Sequence, residues 1–244
     1  MNIVKLGGSI INPDGNYDQG IITTFIDLVK NSEEQFIFVV GGGKICRNIQ
    51  DASMTFLRDG LPSDPEIDLA RDEVGIAVTK INARYVLQQF ESVLGDEVHP
   101  QIIIDPTRKI ESDARVFFAT GWKPGCSTDT DMMLLAKSFN AEKVFKISNF
   151  TKVKRFTPHQ YRDANDAEKE RLVKESEDIS KMSWEELHEL VGDEWIAGLN
   201  TPFDPEALKI GLEMKETLSL YIGKMDEFCK AVKGEKFEGT IVSK

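Results

Sequence analysis

The stretch Phe36–Ile49 (FIFVVGGGKICRNI) decides the fold class. Its first five residues are apolar and rich in β-branched and aromatic side chains, which predicts a strand buried on both faces. Three glycines follow at once, and Ile45 and Ile49 then begin an apolar spacing that is typical of an amphipathic helix. A buried strand, a glycine turn and a helix in direct succession are the parts of a βαβ unit. The stretch therefore predicts an α/β protein with a parallel sheet.

The same alternation of strand and helix patterns extends over most of the chain. Further buried strands are predicted at Ile3–Leu6, Gln101–Ile104, Val116–Ala119, Val144–Ile147 and Leu218–Ile222. Apolar residues at helical spacing predict three helices that face the sheet, carried by Ile22, Phe25, Ile26 and Val29, by Ile45, Ile49, Ala52 and Phe56, and by Val74, Val78, Ile81 and Tyr85. Together these elements predict a three-layer α/β/α sandwich with a mainly parallel central sheet.

The later part of the chain is more polar. Arg162–Glu177 is mostly charged, and its pattern leaves open a solvated helix or an excursion loop. Ser183 and Glu186 have capping-box spacing, which predicts a helix over 183–191, and Asp204 followed by proline predicts the N-cap of another. No stretch has the composition of a linker. We therefore predict a single domain over residues 1–244, with two lobes that meet near residue 145.

Composition and charge exclude several classes of protein. The chain has 244 residues, of which 41% are hydrophobic, and its 30 Lys and Arg against 41 Asp and Glu give a net charge of −11. This charge disfavours a nucleic acid polymer or an anionic membrane as the main partner. The start MNIVKLGGS lacks the features of a signal peptide, and no apolar stretch approaches the ~20 residues of a membrane span. The three cysteines form no metal-binding cluster, so we expect no protein-bound metal and a reducing, cytoplasmic location.

Three turns, each following a predicted strand, are candidates for binding an anionic ligand. In the first, Gly7, Gly8 and Ser9 follow Lys5, so bare backbone N–H groups and an ammonium group could hold phosphate. The alternative for this turn is a tight bend that requires a positive φ. In the second, Gly41–Gly43 leads into a helix that carries Arg47, which favours a phosphate or carboxylate over the alternative of a flexible turn. The second turn matches neither the dinucleotide-binding glycine pattern nor the P-loop.

The third turn runs over residues 120–129. It contains Thr120 and Gly121, and Ser127, Thr128 and Asp129 stand where the next helix would begin. Helix capping is the alternative explanation for each of the last three residues. Because parallel strands end at one edge of the sheet, we expect all three turns to converge there, where open α/β folds bind ligands.

With these residues assembled, the chain resembles a known family. It carries, in order, the motifs KLGGSI, VVGGGKICR, DEVGIAVTKINA, GWKPGCSTDTDMMLLA, FDPEAL and GEKFEGTIV. The set resembles the amino-acid kinase family, and within it the uridylate (UMP) kinases, most of all their archaeal branch. The resemblance implies an open α/β/α sandwich, ATP with Mg²⁺ as donor, UMP as acceptor, UDP as product and a homohexamer. It also divides the chain into an acceptor lobe, about 1–145, and a donor lobe, about 146–244.

The resemblance implies a role for each matching residue. Lys5 matches the lysine that meets the transferring phosphoryl group, and Asp129 matches the aspartate that holds this lysine and the backbone donors in place. Residues that match the loop beneath the ATP phosphates are Gly7, Gly8 and Ser9. Residues that match the acceptor site are Gly41, Gly42, Gly43, Arg47, Asp72, Thr120, Gly121 and Thr128, with Arg47 on the acceptor phosphate and Asp72 on the ribose hydroxyls.

The donor segment departs from the family pattern. Where relatives carry an Asp-Gly turn and an aromatic residue, this chain has Thr151-Lys152 and Lys154, and the candidate donor-binding residues are Ser148, Asn149, Lys152 and Lys154. The change leaves open altered phosphate contacts, a different donor, a lost donor site or an ordinary surface loop. Two alternatives to a UMP kinase stay open, the second of them motivated by this altered segment. One is a family phosphotransferase that acts on another small anion, and the other is a non-catalytic nucleotide-binding protein.

Overall fold

The computed structural model describes residues 1–60, 63–193 and 202–244. In this part of the chain the strands are β1 Asn2–Leu6, β2 Phe36–Val40, β3 Val116–Ala119, β4 Lys143–Ile147, β5 Val153–Lys154, β6 Asp178–Ile179, β7 Lys181–Ser183, β8 Ser219–Gly223 and β9 Thr240–Ser243. The α-helices are α1 Gly8–Ile11, α2 Gln19–Lys30, α3 Gly43–Gly60, α4 Asp64–Leu94, α5 Thr128–Phe139, α6 Pro158–Asp163, α7 Asp166–Glu175, α8 Trp184–Val191, α9 Pro205–Glu213 and α10 Met225–Val232.

Seven strands form the central sheet, in the order β3-β2-β1-β4-β8-β9-β7. The pairs from β3 to β8 are all parallel, as is β7 with β9, and only β8 with β9 is antiparallel. The remaining strands, β5 and β6, form a separate antiparallel pair. The predicted three-layer sandwich with a mainly parallel sheet is confirmed.

Strand β2 shows why the chain forms three layers. Phe36, Phe38 and Val40 pack on one face of the sheet, in a core with residues of α2, α4 and α10. Ile37 and Val39 pack on the opposite face, in a second core with residues of α5, α8 and α9. Because successive side chains of a strand point to opposite faces, a continuous apolar run suits a strand that is covered on both sides.

The strand predicted at Gln101–Ile104 is wrong. The segment makes a single parallel bridge, between Ile103 and Ala119 beside β3, and Ile104 is largely exposed. Pro100 and Pro106 flank it, and proline provides no backbone N–H with which to extend a ladder. The strands β7 and β9, toward the opposite edge, were not predicted, because runs of three or four residues with only one or two apolar side chains carry little strand signal.

The expectation that the apolar stripe of α3 faces the sheet is also wrong. Helix α3 packs on α4 and α1, and its Phe56 is 81% exposed. On α4, Ile81 is 59% exposed. The α4 residues that pack in the core on this face of the sheet include Ala83, Val86, Leu87 and Phe90. The pair α3 and α4 therefore keeps an apolar face in solvent.

The local predictions for the later chain agree with the structure. Helix α7 lies within the charged stretch and has no buried residue, so this part is a solvated helix. Ser183 and Glu186 make both bonds of a capping box at the start of α8. The Asp204 carboxylate accepts the N–H groups of Glu206 and Ala207 at the start of α9. Across the described ranges, no helix combines the length and apolarity needed to cross a bilayer.

Candidate active site

The three candidate turns meet at the carboxyl ends of β1, β2 and β3. The backbones of Gly8 and Gly43 lie so close that a Cβ at Gly8 would overlap the backbone of Gly43. Neither Gly7 nor Gly8 has a positive φ, whereas Gly43 has a φ of +66°. The glycine at position 8 is therefore required by the close approach of two turns, and the expected alternative of a positive φ does not apply.

Two lysines and one aspartate form a buried cluster beside these turns. Lys5 of β1 and Lys146 of β4 are paired in register, and parallel register partners point to the same face of the sheet. Each Nζ lies 2.7 Å from a different carboxylate oxygen of Asp129 in the first turn of α5. Ser127 is the N-cap of α5 and accepts the N–H of Thr130, which fixes the start of the helix. Strand register and helix capping together position the three side chains.

The cluster has unusual electrostatics because its side chains are only 8% to 16% exposed. Burial raises the pKa of Asp129, but Lys146 and Lys5 outweigh it, and the pKa falls to about 2. Burial lowers the pKa of Lys146, and the charge of Asp129 opposes this shift. Asp129 is thus a fixed negative charge that holds two ammonium groups side by side.

Asp131 is a second carboxyl of α5, two residues after Asp129. It is fully buried, and its Oδ2 accepts the N–H of Trp122 at 3.3 Å. Burial raises its pKa to about 7, and the charges of Asp129 and Asp204 act in the same direction. Asp204 is itself buried and accepts a hydrogen bond from the Thr130 hydroxyl at 3.3 Å.

Helix α4 holds the second and third turns in place. Asn82 is fully buried and donates from Nδ2 to the carbonyl oxygens of Gly41 and Gly42, both at 2.9 Å. One turn earlier, the hydroxyl of Thr79 lies 2.6 Å from that of Thr120 and accepts the N–H of Gly121 at 3.0 Å. These hydrogen bonds explain why Thr79 and Asn82, which are both polar, lie on the buried face of α4.

The remaining acceptor-side candidates lie around these two turns. Arg47 is exposed on the first turns of α3, and Thr128 is the first residue of α5. Asp72 is exposed on α4, and its Oδ2 accepts the N–H of Gly125 at 2.8 Å. The Asp72 carboxylate therefore ties α4 to the loop over residues 120–126, which we call the acceptor loop. Among the described residues, the second Asp72 oxygen accepts no hydrogen bond.

The donor-side candidates lie where β4 ends. Gly7 packs near the carbonyl of Ile147, and Ser148 donates its hydroxyl to the Phe150 carbonyl at 2.8 Å. Beyond them is a pocket of about 330 Å³. It is lined largely by Phe150, Val153, Phe156, Tyr161 and Val173, with Lys152, Lys154 and Asp178 as its charged residues. The Nζ of Lys154 lies 2.8 Å from the Asp178 carboxylate, so its charge is already paired. Asn149, the remaining donor-side candidate, is exposed.

Comparison with known proteins identifies the family. The family model described as "Amino acid kinase family" matches residues 1–220. The chain belongs to the amino acid kinase family. Among curated members, it is 27% identical over 248 residues to a uridylate kinase of Methanobrevibacter smithii, with 99% of each chain covered. It is also 26% identical over 250 residues to a uridylate kinase of Thermofilum pendens, covering 98% of this chain and 96% of the relative.

Solved structures of amino acid kinase relatives share the fold over nearly the whole chain. The uridylate kinase of Archaeoglobus fulgidus superposes with a TM-score of 0.74 at 23% identity, covering 99% of both chains. The UMP kinase of Bacillus anthracis superposes with a TM-score of 0.69 at 14% identity, covering 99% of this chain and 95% of the other. The resemblance stated from the sequence motifs is confirmed at the level of family and fold.

Several site residues of this amino acid kinase were missed from sequence. Lys146 carries the clearest overlooked signal, because a lysine inside a buried strand requires a partner. Thr79 and Asn82 are polar positions on the core face of an otherwise apolar helix, and Asp131 follows the predicted Asp129 by two residues. Their common signal is a polar side chain at a position where the pattern predicts an apolar one.

Proposed function

We propose that this chain is a nucleoside monophosphate kinase that transfers the γ-phosphoryl group of ATP to UMP and yields UDP. The observation that carries the proposal is the Lys5–Asp129–Lys146 cluster, which lies between the first turn and the acceptor-side turns. Two ammonium groups held by one carboxylate suit a transferring phosphoryl group, whose negative charge is spread over several oxygens. The uridylate kinase relatives support the choice of acceptor.

Catalysis by this site requires positioning and charge rather than a strong base. The acceptor oxygen of a nucleoside monophosphate is already anionic, so in-line attack needs no proton removal. Asp129 would be a poor base, because its pKa is about 2 and both of its oxygens face lysines. We assign Asp129 the role of orienting Lys5 and Lys146, and the lysines that of neutralising charge on the phosphoryl group.

The proposed donor is ATP with Mg²⁺. In residues 1–60, 63–193 and 202–244, no group of three or more His, Cys, Asp or Glu side chains could hold a metal ion. Mg²⁺ is commonly bound through substrate phosphates and its own waters, with few protein ligands. The described residues therefore fit an ion that arrives on the nucleotide, where it would neutralise phosphate charge, and we assign no side chain to it.

On the acceptor side, the turn Gly41–Gly43 would present backbone N–H groups to the UMP phosphate. Arg47 follows on α3, and its guanidinium could bind the same phosphate in bidentate geometry. Thr120, Gly121 and Thr128 would complete the site around the phosphate and base. Asp72 keeps one carboxylate oxygen for a ribose hydroxyl while the other holds Gly125.

On the donor side, Gly7, Gly8 and Ser9 would lie beneath the ATP phosphates, with Ser148 and Asn149 at the end of β4. The 330 Å³ pocket behind them has the aromatic and aliphatic lining that a purine base requires. Because Lys154 is paired with Asp178, Lys152 is the cation of this segment that we assign to phosphate contact. The pocket supports a working donor site and weighs against a non-catalytic role.

Assembly, location and pathway form part of the same proposal. The exposed apolar side chains on α3 and α4, Ile49, Phe56, Leu69 and Ile81, support association with further copies of the chain, which we take to be a homohexamer. The three cysteines, all among the described residues, are unpaired, as a reducing cytoplasm would keep them. The enzyme would then serve pyrimidine nucleotide biosynthesis.

A coupled ADP-release assay tests the proposal. We expect turnover with UMP and ATP, and much less with carbamate, acetylglutamate or isopentenyl phosphate, with CMP and dUMP included to define base selectivity. Lys5→Ala should abolish turnover, and the exposed Lys143→Ala on β4 is its matched control. Turnover with a carboxylate but not with UMP would reject the acceptor. Calorimetry that shows UMP binding but no ATP binding would instead favour the non-catalytic alternative.

A further inference from the structure

The side chain of Asp131 has an environment that the proposed transfer chemistry does not use. It has no solvent exposure, and its Oδ1 has no hydrogen-bond partner among the described residues. Its Oδ2 accepts one long hydrogen bond, from the N–H of Trp122 in the acceptor loop. An ionised carboxylate with one long hydrogen bond is poorly stabilised when buried, whereas the neutral acid is tolerated.

The charges near Asp131 come from three of the elements packed on α5 and from α5 itself. Lys5 lies on β1, Lys146 on β4 and Asp204 at the start of α9, while Asp129 precedes it on its own helix. Cys126 of the acceptor loop is also near, with Lys123 close to that thiol, and β2 adds no charged residue within Phe36–Val40. Burial raises the pKa of Asp131, the N–H of Trp122 and the charge of Lys5 oppose this shift, and Asp129 and Asp204 add to it. Both lysines pair with Asp129, and among the described residues Asp131 has no ion pair of its own.

We propose that Asp131 is a proton-linked positioning residue of the acceptor site. Asp131 holds the acceptor loop through the N–H of Trp122, and in its neutral form it leaves the net positive charge of the Lys5–Asp129–Lys146 cluster intact. Ionised Asp131 adds one negative charge beside the cluster and opposes an incoming phosphate. The inference rests on the proposed function, because it takes the phosphate of UMP as the ligand that senses this charge.

The expected consequence is a loss of acceptor capture above neutral pH. With the pKa of Asp131 raised by burial to about 7, about one molecule in ten retains neutral Asp131 at pH 8. The second phosphate pKa of a phosphate monoester is about 6, so the charge of UMP changes little above pH 7. The kcat/KM for UMP should therefore fall as Asp131 ionises, since this parameter reports groups of the free enzyme.

The test compares pH profiles of variants in the full-length chain. Asp131→Asn keeps the shape and the acceptor for Trp122 but cannot ionise, so its kcat/KM should match the wild type at pH 6 and exceed it about tenfold at pH 8. Asp131→Ala removes the acceptor for Trp122 and should raise the KM for UMP at pH 6, which asparagine should rescue. Asp27→Asn, an exposed change on α2, should follow the wild-type profile. If the kcat/KM of Asp131→Asn divided by that of the wild type stays constant from pH 6 to 8.5, the inference is overturned.

A measurement on the wild type keeps the inference testable if the variants do not fold. UMP binding is measured by calorimetry at pH 8 in two buffers of different ionisation enthalpy. We expect uptake of about one proton per site, because the bound phosphate favours neutral Asp131. Binding without proton uptake rejects the inference and leaves the proposed function intact. Absence of UMP binding at every pH rejects the proposed function, and the inference with it.

Discussion

Replacing Lys146 with methionine separates the catalytic from the structural role of the buried cluster. Methionine is unbranched and of similar length, so it fills the same space without the charge. The Lys146 Nζ lies 2.7 Å from Asp129, and Lys5 remains as the second partner of that carboxylate. The exposed Lys143→Met on the same strand is the matched control.

The stability effect should be small because two large contributions oppose each other. At an effective dielectric of about 20, the ion pair at this distance contributes ~6 kcal/mol of attraction. Removing the Lys146 charge from water costs several kcal/mol, which is why burial lowers its pKa. The difference predicts a change in the free energy of unfolding within about 2 kcal/mol of zero, measured by urea denaturation.

The effect on turnover should be much larger. Loss of one preorganised charge at a transferring phosphoryl group costs roughly 3–4 kcal/mol of transition-state stabilisation, so kcat should fall about 100- to 1,000-fold. The coupled ADP-release assay at saturating UMP and ATP measures it. A Lys146→Met enzyme that keeps kcat within threefold of the wild type would refute the assignment. A loss of more than about 4 kcal/mol in the free energy of unfolding would also refute it, because Lys146 would then serve mainly to stabilise the fold.

Three further predictions concern the same edge of the sheet. Because the folded pKa of Asp129 is about 2, below its ordinary 3.8, its ionisation contributes about 2 kcal/mol of stability that is present above about pH 4 and lost toward pH 2. The free energies of unfolding of wild type and Asp129→Asn, measured in urea, should therefore converge from pH 4 to pH 2. A difference between them that does not change with pH would contradict the prediction. Gly8→Ala should destabilise the protein by at least about 3 kcal/mol in thermal melts, because its Cβ would overlap the backbone of Gly43. Gly60→Ala is the control and should not destabilise, because the space around Gly60 is open. Equal melting temperatures for the two variants would exclude the close approach of Gly8 and Gly43. Asn82→Leu should lower the free energy of unfolding in urea by about 2–4 kcal/mol, since one buried and one part-buried carbonyl lose their donor, and it should raise the KM for UMP. A change below about 0.5 kcal/mol would show that these hydrogen bonds are dispensable.

The sequence predicted the sheet better than the helix surfaces. Phe36–Val40 is apolar at every position, so only a strand covered on both faces suits it, and the structure agrees. Ile49 and Phe56 have the same helical spacing as core residues but lie in solvent on α3. A period of 3.6 residues shows that a helix has an apolar face, and does not show whether a sheet or another chain covers that face.

The candidate site was predicted in outline. Lys5, the glycine turns and Asp129 follow strands in the sequence, and strand ends in a parallel sheet share one edge. Lys146 was missed because its role depends on its register with Lys5, which relates residues 141 positions apart. Neither residue carries any local sign of the other, since parallel pairing is set by long-range packing.

By itself, the sequence determined the layered α/β architecture, the glycine turns at the strand ends and the caps at Ser183 and Asp204. Periodicity, turn chemistry and capping act over a few residues, so a single chain displays them. Only the tertiary structure decided which polar groups are buried and which charges meet. It placed two lysines on one aspartate and left Asp131 in the interior without a cation of its own. Desolvation and Coulomb energies depend on neighbours distant in sequence, so these properties arise only when the chain has folded.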